Sequence, residues 1–190
     1  MPPAAPPAGE ITALIDRANG GDAAAMNELF ERLYADLHQL ARARLRHNAP
    51  FTVLDTTSLL HESYLRLVNA GRLHVTSRAH FMAYASRTMR SIIVDFARRR
   101  MAERRGGAMR AVTLPTDVAP AVTHNEDEIV RVHDALQDLA QADARLARVV
   151  EMRYFGGLTE NEVAQALGVT DRTVRRDWEK ARLLLSLALR

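Results

Sequence analysis

The chain has 190 residues, a formal net charge of +3, 47% hydrophobic and 5% aromatic residues, and no cysteine. This length fits one domain or two small ones with an aliphatic core, and the lack of cysteine excludes disulfides and thiolate metal sites while being compatible with a reducing cytoplasm. Lys180 is the only lysine, and the arginines are unevenly spread: residues 90–105 carry six against Asp95 and Glu103, a net of +4, while residues 124–143 carry six acids against Arg131, a net of −5. Such clustering is how a nucleic-acid footprint shows in sequence, the plain alternative being a solvated helix end.

The start, MPPAAPPAGE, has neither the basic n-region nor the apolar stretch of a signal peptide, and its prolines oppose a helix. Residues 1–9 are therefore expected to form a disordered arm. From Ile11 to Leu45 apolar residues recur at three- and four-residue steps, broken at Asn19-Gly20-Gly21-Asp22, which predicts two helices. Asn48-Ala49-Pro50 ends the second. DTTSLLHESYLRL (55–67) opens the next helix, with Leu60, Tyr64, Leu67 and Val68 on one face and Asn69-Ala70-Gly71 as its stop. A long helix follows, striped by Met82, Ala85, Met89, Ile92 and Phe96 and ending in the arginine cluster and Gly106-Gly107. Within it Asp95 is expected to pair with Arg98 or Arg99.

Residues 106–125 have no period, two prolines and two glycines, and read as a flexible linker. Ile129, Val132, Leu136 and Leu139 then mark a helix, and Leu146, Val149 and Val150 another, closed by Gly156-Gly157. No segment approaches the roughly 20 apolar residues of a membrane span, so no membrane partner is expected. The predicted class is all-α, as two small helical domains joined by a flexible linker.

The most specific local pattern is LTENEVAQALGVTDRTVRRDWEKARLLL (158–185). Thr159 followed by Glu162 is a capping box. Val163, Ala164 and Leu167 supply an inner face, and Gly168 stands where the chain must leave the helix in a left-handed conformation. Thr170 can cap the following helix, whose inner face is Val174, Trp178 and Ala181. This is the pattern of a helix-turn-helix, which presents Thr170, Asp171, Arg172, Thr173, Arg175 and Arg176 near the start of its second helix, where arginine can bind phosphate or guanine.

These segments together resemble a known family. Residues 158–185 resemble domain four of bacterial sigma factors. HFMAYASRTMRSIIVDFARRRMAERRGG (80–107) is similar to the second half of their domain two, and HESYLRLV (61–68) to the helix that binds core RNA polymerase. The order and size match the extracytoplasmic-function (ECF) group, which keeps only these two domains. The resemblance implies domain two at residues 10–105, a linker at 106–125 and domain four at 126–190.

It further implies the partners and their tasks. The clamp helices of the largest polymerase subunit would meet Asp55, Ser58, Leu59, His61, Glu62, Leu65 and Arg66. Domain two would melt and read the minus-ten element of promoter DNA, whose phosphates Arg87, Arg90, Arg98, Arg99, Arg100, Arg104 and Arg105 would neutralise. The loop before the long helix would capture an unstacked base with Thr76, Ser77, Arg78 and His80, and domain four would read the minus-thirty-five element. Such a protein is cytoplasmic and not an enzyme. In keeping with that, the histidines lack metal-like spacing, no glycine-rich phosphate loop is present, and no catalytic residue, metal or cofactor is expected. The alternative is a stand-alone helix-turn-helix regulator, which leaves HESYLRLV without a task.

One departure stands out. The family usually carries Asp-Ala-Glu-Asp before the polymerase-binding helix, whereas this chain has Asp55-Thr56-Thr57-Ser58. The plain reading is helix capping by Asp55, Thr56 or Thr57. The sharper one is a switch in which a Ser/Thr kinase phosphorylates Thr57, Thr56 or Ser58 and restores about −1.5 to −2 charges. The competing expectation is that Asp55 and Glu62 suffice and that an anti-sigma protein or expression level provides control.

Overall fold

The computed structural model describes residues 8–47, 54–71, 73–106 and 123–190, and among these it is all helical, with no strand. The helices are α1 (Ala8–Asn19), α2 (Ala23–Arg32), α3 (Tyr34–His47), α4 (Thr56–Asn69), α5 (Arg78–Gly106), α6 (Thr123–Ala142), α7 (Ala144–Val150), a π-helical turn (Glu151–Phe155), α8 (Glu160–Leu167) and α9 (Asp171–Ala188).

Three element boundaries differ from expectation. Helix α1 already begins at Ala8, inside the expected arm, whose first seven residues lie outside the described ones. The second predicted helix is two, because Leu33 leaves the helical backbone between α2 and α3 (φ −98°, ψ 8°). No glycine or proline marks that break. Leu33 is fully buried, and the hydrogen bonds Leu33 N–H to Leu29 C=O and Leu37 N–H to Leu33 C=O carry the chain around the bend. Both margins of the expected linker are helical, since α5 runs through Gly106 and α6 starts at Thr123; residues 107–122 lie outside the described ones.

Helix α5 is the central beam. Ile11, Leu14 and Ile15 of α1, Leu29, Leu37 and Leu59 from α2, α3 and α4, and Phe81, Met89 and Ile93 of α5 form one buried cluster. That cluster continues into Val149, Met152, Leu158, Val163 and Val174 of the C-terminal half. A smaller cluster of Leu136, Leu139, Leu146, Val150, Phe155 and Ala181 holds α6, α7 and α9 together. The two halves thus pack along α5. At 25–30 cal/mol per Å² of apolar surface removed from water, such continuous packing is the dominant stabilising term.

The π-helical turn aims two side chains at α5. Its closure, Gly156 N–H to Glu151 C=O at 2.7 Å, spans one residue more than an α-helical bond. Gly156 is required here, because a Cβ would stand 2.6 Å from the Met152 carbonyl oxygen.

Candidate functional site

Helix α4 begins at Asp55. Its extended backbone (φ −83°, ψ 168°) lets the carboxylate accept the Ser58 N–H at 2.8 Å and the Ser58 hydroxyl at 3.0 Å. These bonds, the backbone one foremost, hold the Asp55 carboxyl below its usual pKa. Of the three capping alternatives, Asp55 is the one used. Thr56 is half-buried, and Thr57 and Ser58 are exposed.

The outward face of α4 carries His61 and Leu65, both exposed. Glu62 and Arg66 are half-buried and paired at 3.2 Å. Arg66 also reaches Asp95 of α5 at 3.0 Å and the Ser91 hydroxyl at 3.3 Å. Asp95 therefore pairs across to α4 and not along its own helix with Arg98 or Arg99; Arg98 turns to Asp134 of α6 instead. A cleft between α4 and α5 gathers Ser58, His61, Glu62, Arg66, Asp95 and Arg99. Leu59 is a correction: it is 0% exposed and packs in the core, so it has no surface to offer polymerase. It shares the inward face with Leu60, Ser63 and Leu67, a helical spacing that resemblance by position does not resolve.

The loop before α5 is pinned from a distance. Asn19 of α1 donates to the Val75 carbonyl at 2.6 Å and accepts the Val75 N–H at 3.2 Å. Thr76 and His80 join side chain to side chain at 2.7 Å, and Ser77 accepts the His80 N–H at 3.2 Å. Arg78 pairs with Asp36 of α3 at 2.7 Å. Thr76, Ser77, Arg78 and His80 are thus brought together at one end of α5. Asn19, their anchor, was visible in sequence only as part of a helix break.

The arginines of α5 are brought against the C-terminal half. Arg98 pairs with Asp134 at 2.9 Å and Arg100 with buried Glu126 at 3.4 Å. Arg90, its side chain only 11% exposed, pairs with Glu151 of the π-helical turn and meets the His133 ring at 3.0 Å. Exposed Arg87 lies 3.9 Å from the same carboxylate. Burial and the charges of Arg90 and Arg98 hold His133 below the usual histidine pKa. Phe155 lies under two guanidinium groups, Arg44 at 4.8 Å and Arg90 at 5.4 Å. Arg44 donates to the Tyr154 carbonyl at 3.2 Å, and burial, with Arg90's charge adding to it, pushes its pKa down to about 10. Arg99 is exposed. The side chains of Arg104 and Arg105 lie outside the described ones.

The helix-turn-helix has the expected local chemistry. Thr159 and Glu162 form a reciprocal capping box, Gly168 ends α8 at φ 64°, and the Thr170 hydroxyl accepts the Thr173 N–H to cap α9. Val174 and Ala181 are fully buried and Trp178 is half-buried. Asp171, Arg172, Arg175 and Arg176 are exposed along the outer face of α9. Glu160 binds Arg153 at 3.1 Å and Arg175 at 3.0 Å, while Arg153 lies 4.8 Å from the Trp178 ring. Asp177, almost fully buried, accepts Arg145 of α7 at 2.7 and 3.4 Å and locks α9 in place. Among the described residues no group of His, Asp and Glu is placed to hold a metal ion, and no helix is long and apolar enough to cross a membrane.

An all-α chain with a capped helix-turn-helix at one end and an arginine-lined helix at the centre has the architecture of a DNA-binding protein. The family model for ECF sigma factors matches residues 8–190, nearly the whole chain, and the chain belongs to that family. Membership carries the role of an alternative sigma factor in transcription initiation, with core RNA polymerase and promoter DNA as partners, in a family of transcription factors and not of enzymes. No curated protein matches the chain.

Proposed function

We propose that this sigma factor divides its work between residues 10–105, which grip polymerase and open the minus-ten element, and residues 126–190, which read the minus-thirty-five element. It would act in the cytoplasm. The exposed patch of His61 and Leu65, flanked by Asp55, Ser58, Glu62 and Arg66, is the surface offered to the clamp helices. On α9, Arg172, Arg175 and Arg176 face the major groove, and Thr170, Asp171 and Thr173 flank them at the helix start.

Docking on polymerase is strengthened by phosphorylation of Thr57. The observation that carries this reading is the division of labour at the start of α4. Asp55 already caps the helix and occupies the Ser58 hydroxyl, while Thr57 is exposed. A phosphate there would sit beside the positive end of the helix dipole and restore negative charge where the family's acidic run stands. Thr56 is half-buried, which makes it the poorer kinase target. A Ser/Thr kinase is then the regulatory partner; the competing arrangement is control by an anti-sigma protein.

The test is binding to core RNA polymerase of the unmodified protein, of Thr57→Glu, and of kinase-treated material. Tighter binding on adding charge at position 57 is the expected result. Tight binding of the unmodified chain with no gain from added charge would leave the hydroxyl run without a switching role.

A further inference from the structure

Of the arginines on the outer face of α9, Arg175 is held from outside its own helix. It donates to Glu160 Oε2 through Nε at 3.3 Å and through Nη2 at 3.0 Å. The other carboxylate oxygen, Oε1, takes Arg153 at 3.1 Å, so each oxygen of Glu160 serves one arginine. Arg153 comes from the π-helical turn, and its guanidinium lies 4.8 Å from the Trp178 ring. A chain of contacts therefore leaves α9 at Trp178, passes through the π-helical turn and the first residue of α8, and returns to α9 at Arg175. Its middle members are fixed by their surroundings: the side chains of Arg153 and Glu160 are 24% and 26% exposed, against 65% for Arg175. Arg176 lacks such a tie, since it lies 3.8 Å from Asp177, beyond hydrogen-bond reach. A carboxylate in the first turn of α8 suits the helix dipole, but that alone calls for no partner on α9.

An exposed arginine has many rotamers, and freezing them on contact with a target costs affinity and selectivity. Glu160 removes that freedom beforehand. It grips the Nε edge of the guanidinium, while Nη1 and the second N–H of Nη2 point away from it. That free end is a planar pair of donors matched to the O6 and N7 acceptors of guanine.

The structure assigns Glu160 a positioning role: it aims Arg175 at a guanine in the major groove, so that a residue of α8 sets which base α9 selects. This inference rests on the reading of α9 as the major-groove helix. Glu160 touches no base itself. Its charge weakens binding to every sequence alike through the phosphates, and its effect on recognition falls at one base pair.

The test selects duplex DNA from a randomised pool on the tagged full-length chain mixed with core RNA polymerase, and reads the base preference at each position. Glu160→Gln is compared with the unmodified chain and with Asp138→Asn, an equal charge change at an exposed acid of α6. Arg175→Lys keeps the charge and removes the fork; it is made alone and together with Glu160→Gln. Arg153→Gln loosens Glu160 from behind, and it carries the comparison should Glu160→Gln lose its cooperative thermal transition.

The unmodified chain is expected to prefer guanine about tenfold or more at one position. Glu160→Gln lowers that preference to about threefold or less and leaves the other positions as they were. Arg153→Gln weakens the same position. Arg175→Lys abolishes the preference, and adding Glu160→Gln to it changes nothing further, as two residues acting through one contact require. On the unselected pool Glu160→Gln binds at least as tightly as Asp138→Asn. A guanine preference that needs Arg175 but is untouched by Glu160→Gln overturns the positioning role and leaves the reading of α9 intact. Preference weakened at every position also overturns it, because Glu160 then only holds α8 and α9 together. A base pattern indifferent to Arg175→Lys marks failure of the α9 reading itself, and the inference falls with it.

Discussion

Leu59 and Leu65 lie six residues apart on α4, and the resemblance assigns both to polymerase. The structure separates them: Leu59 is 0% exposed and Leu65 40%. Leu59→Ala removes three buried carbons, roughly 2.4 kcal/mol at about 0.8 kcal/mol each. The cavity left behind raises the cost to about 3–5 kcal/mol. For a chain of this length each kcal/mol moves Tm by about 2–4 °C, giving a fall of about 6–20 °C. Leu65→Ala should leave stability within about 0.5 kcal/mol and weaken core polymerase binding by about tenfold, the loss of one good interface anchor. The assay is thermal unfolding of both variants, followed by polymerase titration below both midpoints. The expected pattern is crossed: Leu59→Ala melts early and binds normally while folded, and Leu65→Ala melts normally and binds poorly. A Leu59→Ala protein that melts within about 2 °C of the unmodified chain yet fails to bind would refute the inward placement of Leu59.

Two further outcomes follow from the joint between the halves. Gly156→Ala forces a Cβ against the Met152 carbonyl and should cost about 1–3 kcal/mol in urea unfolding, whereas Gly9→Ala, with nothing within 4 Å, should be neutral or mildly stabilising; equal behaviour would contradict the tight π-helical closure. His133 has a lowered pKa in the folded chain, so its neutral form is the one held there. It faces Arg90, Arg98 and Asp95 of α5 and Asp134 of its own helix. Its contribution is complete above its usual value of about 6.5 and is lost as pH falls through the lowered one. Melting between pH 7.5 and 5 should fall more steeply for the unmodified chain than for His133→Gln, and parallel curves would remove His133 from the joint's energetics.

What the sequence made legible was local. The capping box of Thr159 and Glu162, the left-handed Gly168 and the Thr170 cap each follow from side-chain chemistry within a few residues, and each is found in place. So is the amphipathic stripe of α5. The break at Leu33 has no local signature, since buried packing alone decides it. Asp95 was given neighbours three and four residues away, but its partner Arg66 comes from another helix. The acidic and basic stretches were both visible, yet complementary charge 30 residues apart does not say that two segments meet; only packing along α5 does. Leu59 shows the limit of carrying roles by position, because the face of a helix is set by the core it must cover.

The central claim is tested most directly by reconstituted initiation. Purified chain, unmodified and kinase-treated, is added to core RNA polymerase and bacterial genomic DNA, and the 5′ ends of the transcripts are mapped. The account predicts that the chain binds core polymerase, more tightly when Thr57 is phosphorylated. It also predicts that the new start sites share a pair of upstream elements absent from transcripts of core polymerase alone. A chain that binds DNA by itself but joins polymerase in neither form, and creates no new start site, would contradict it.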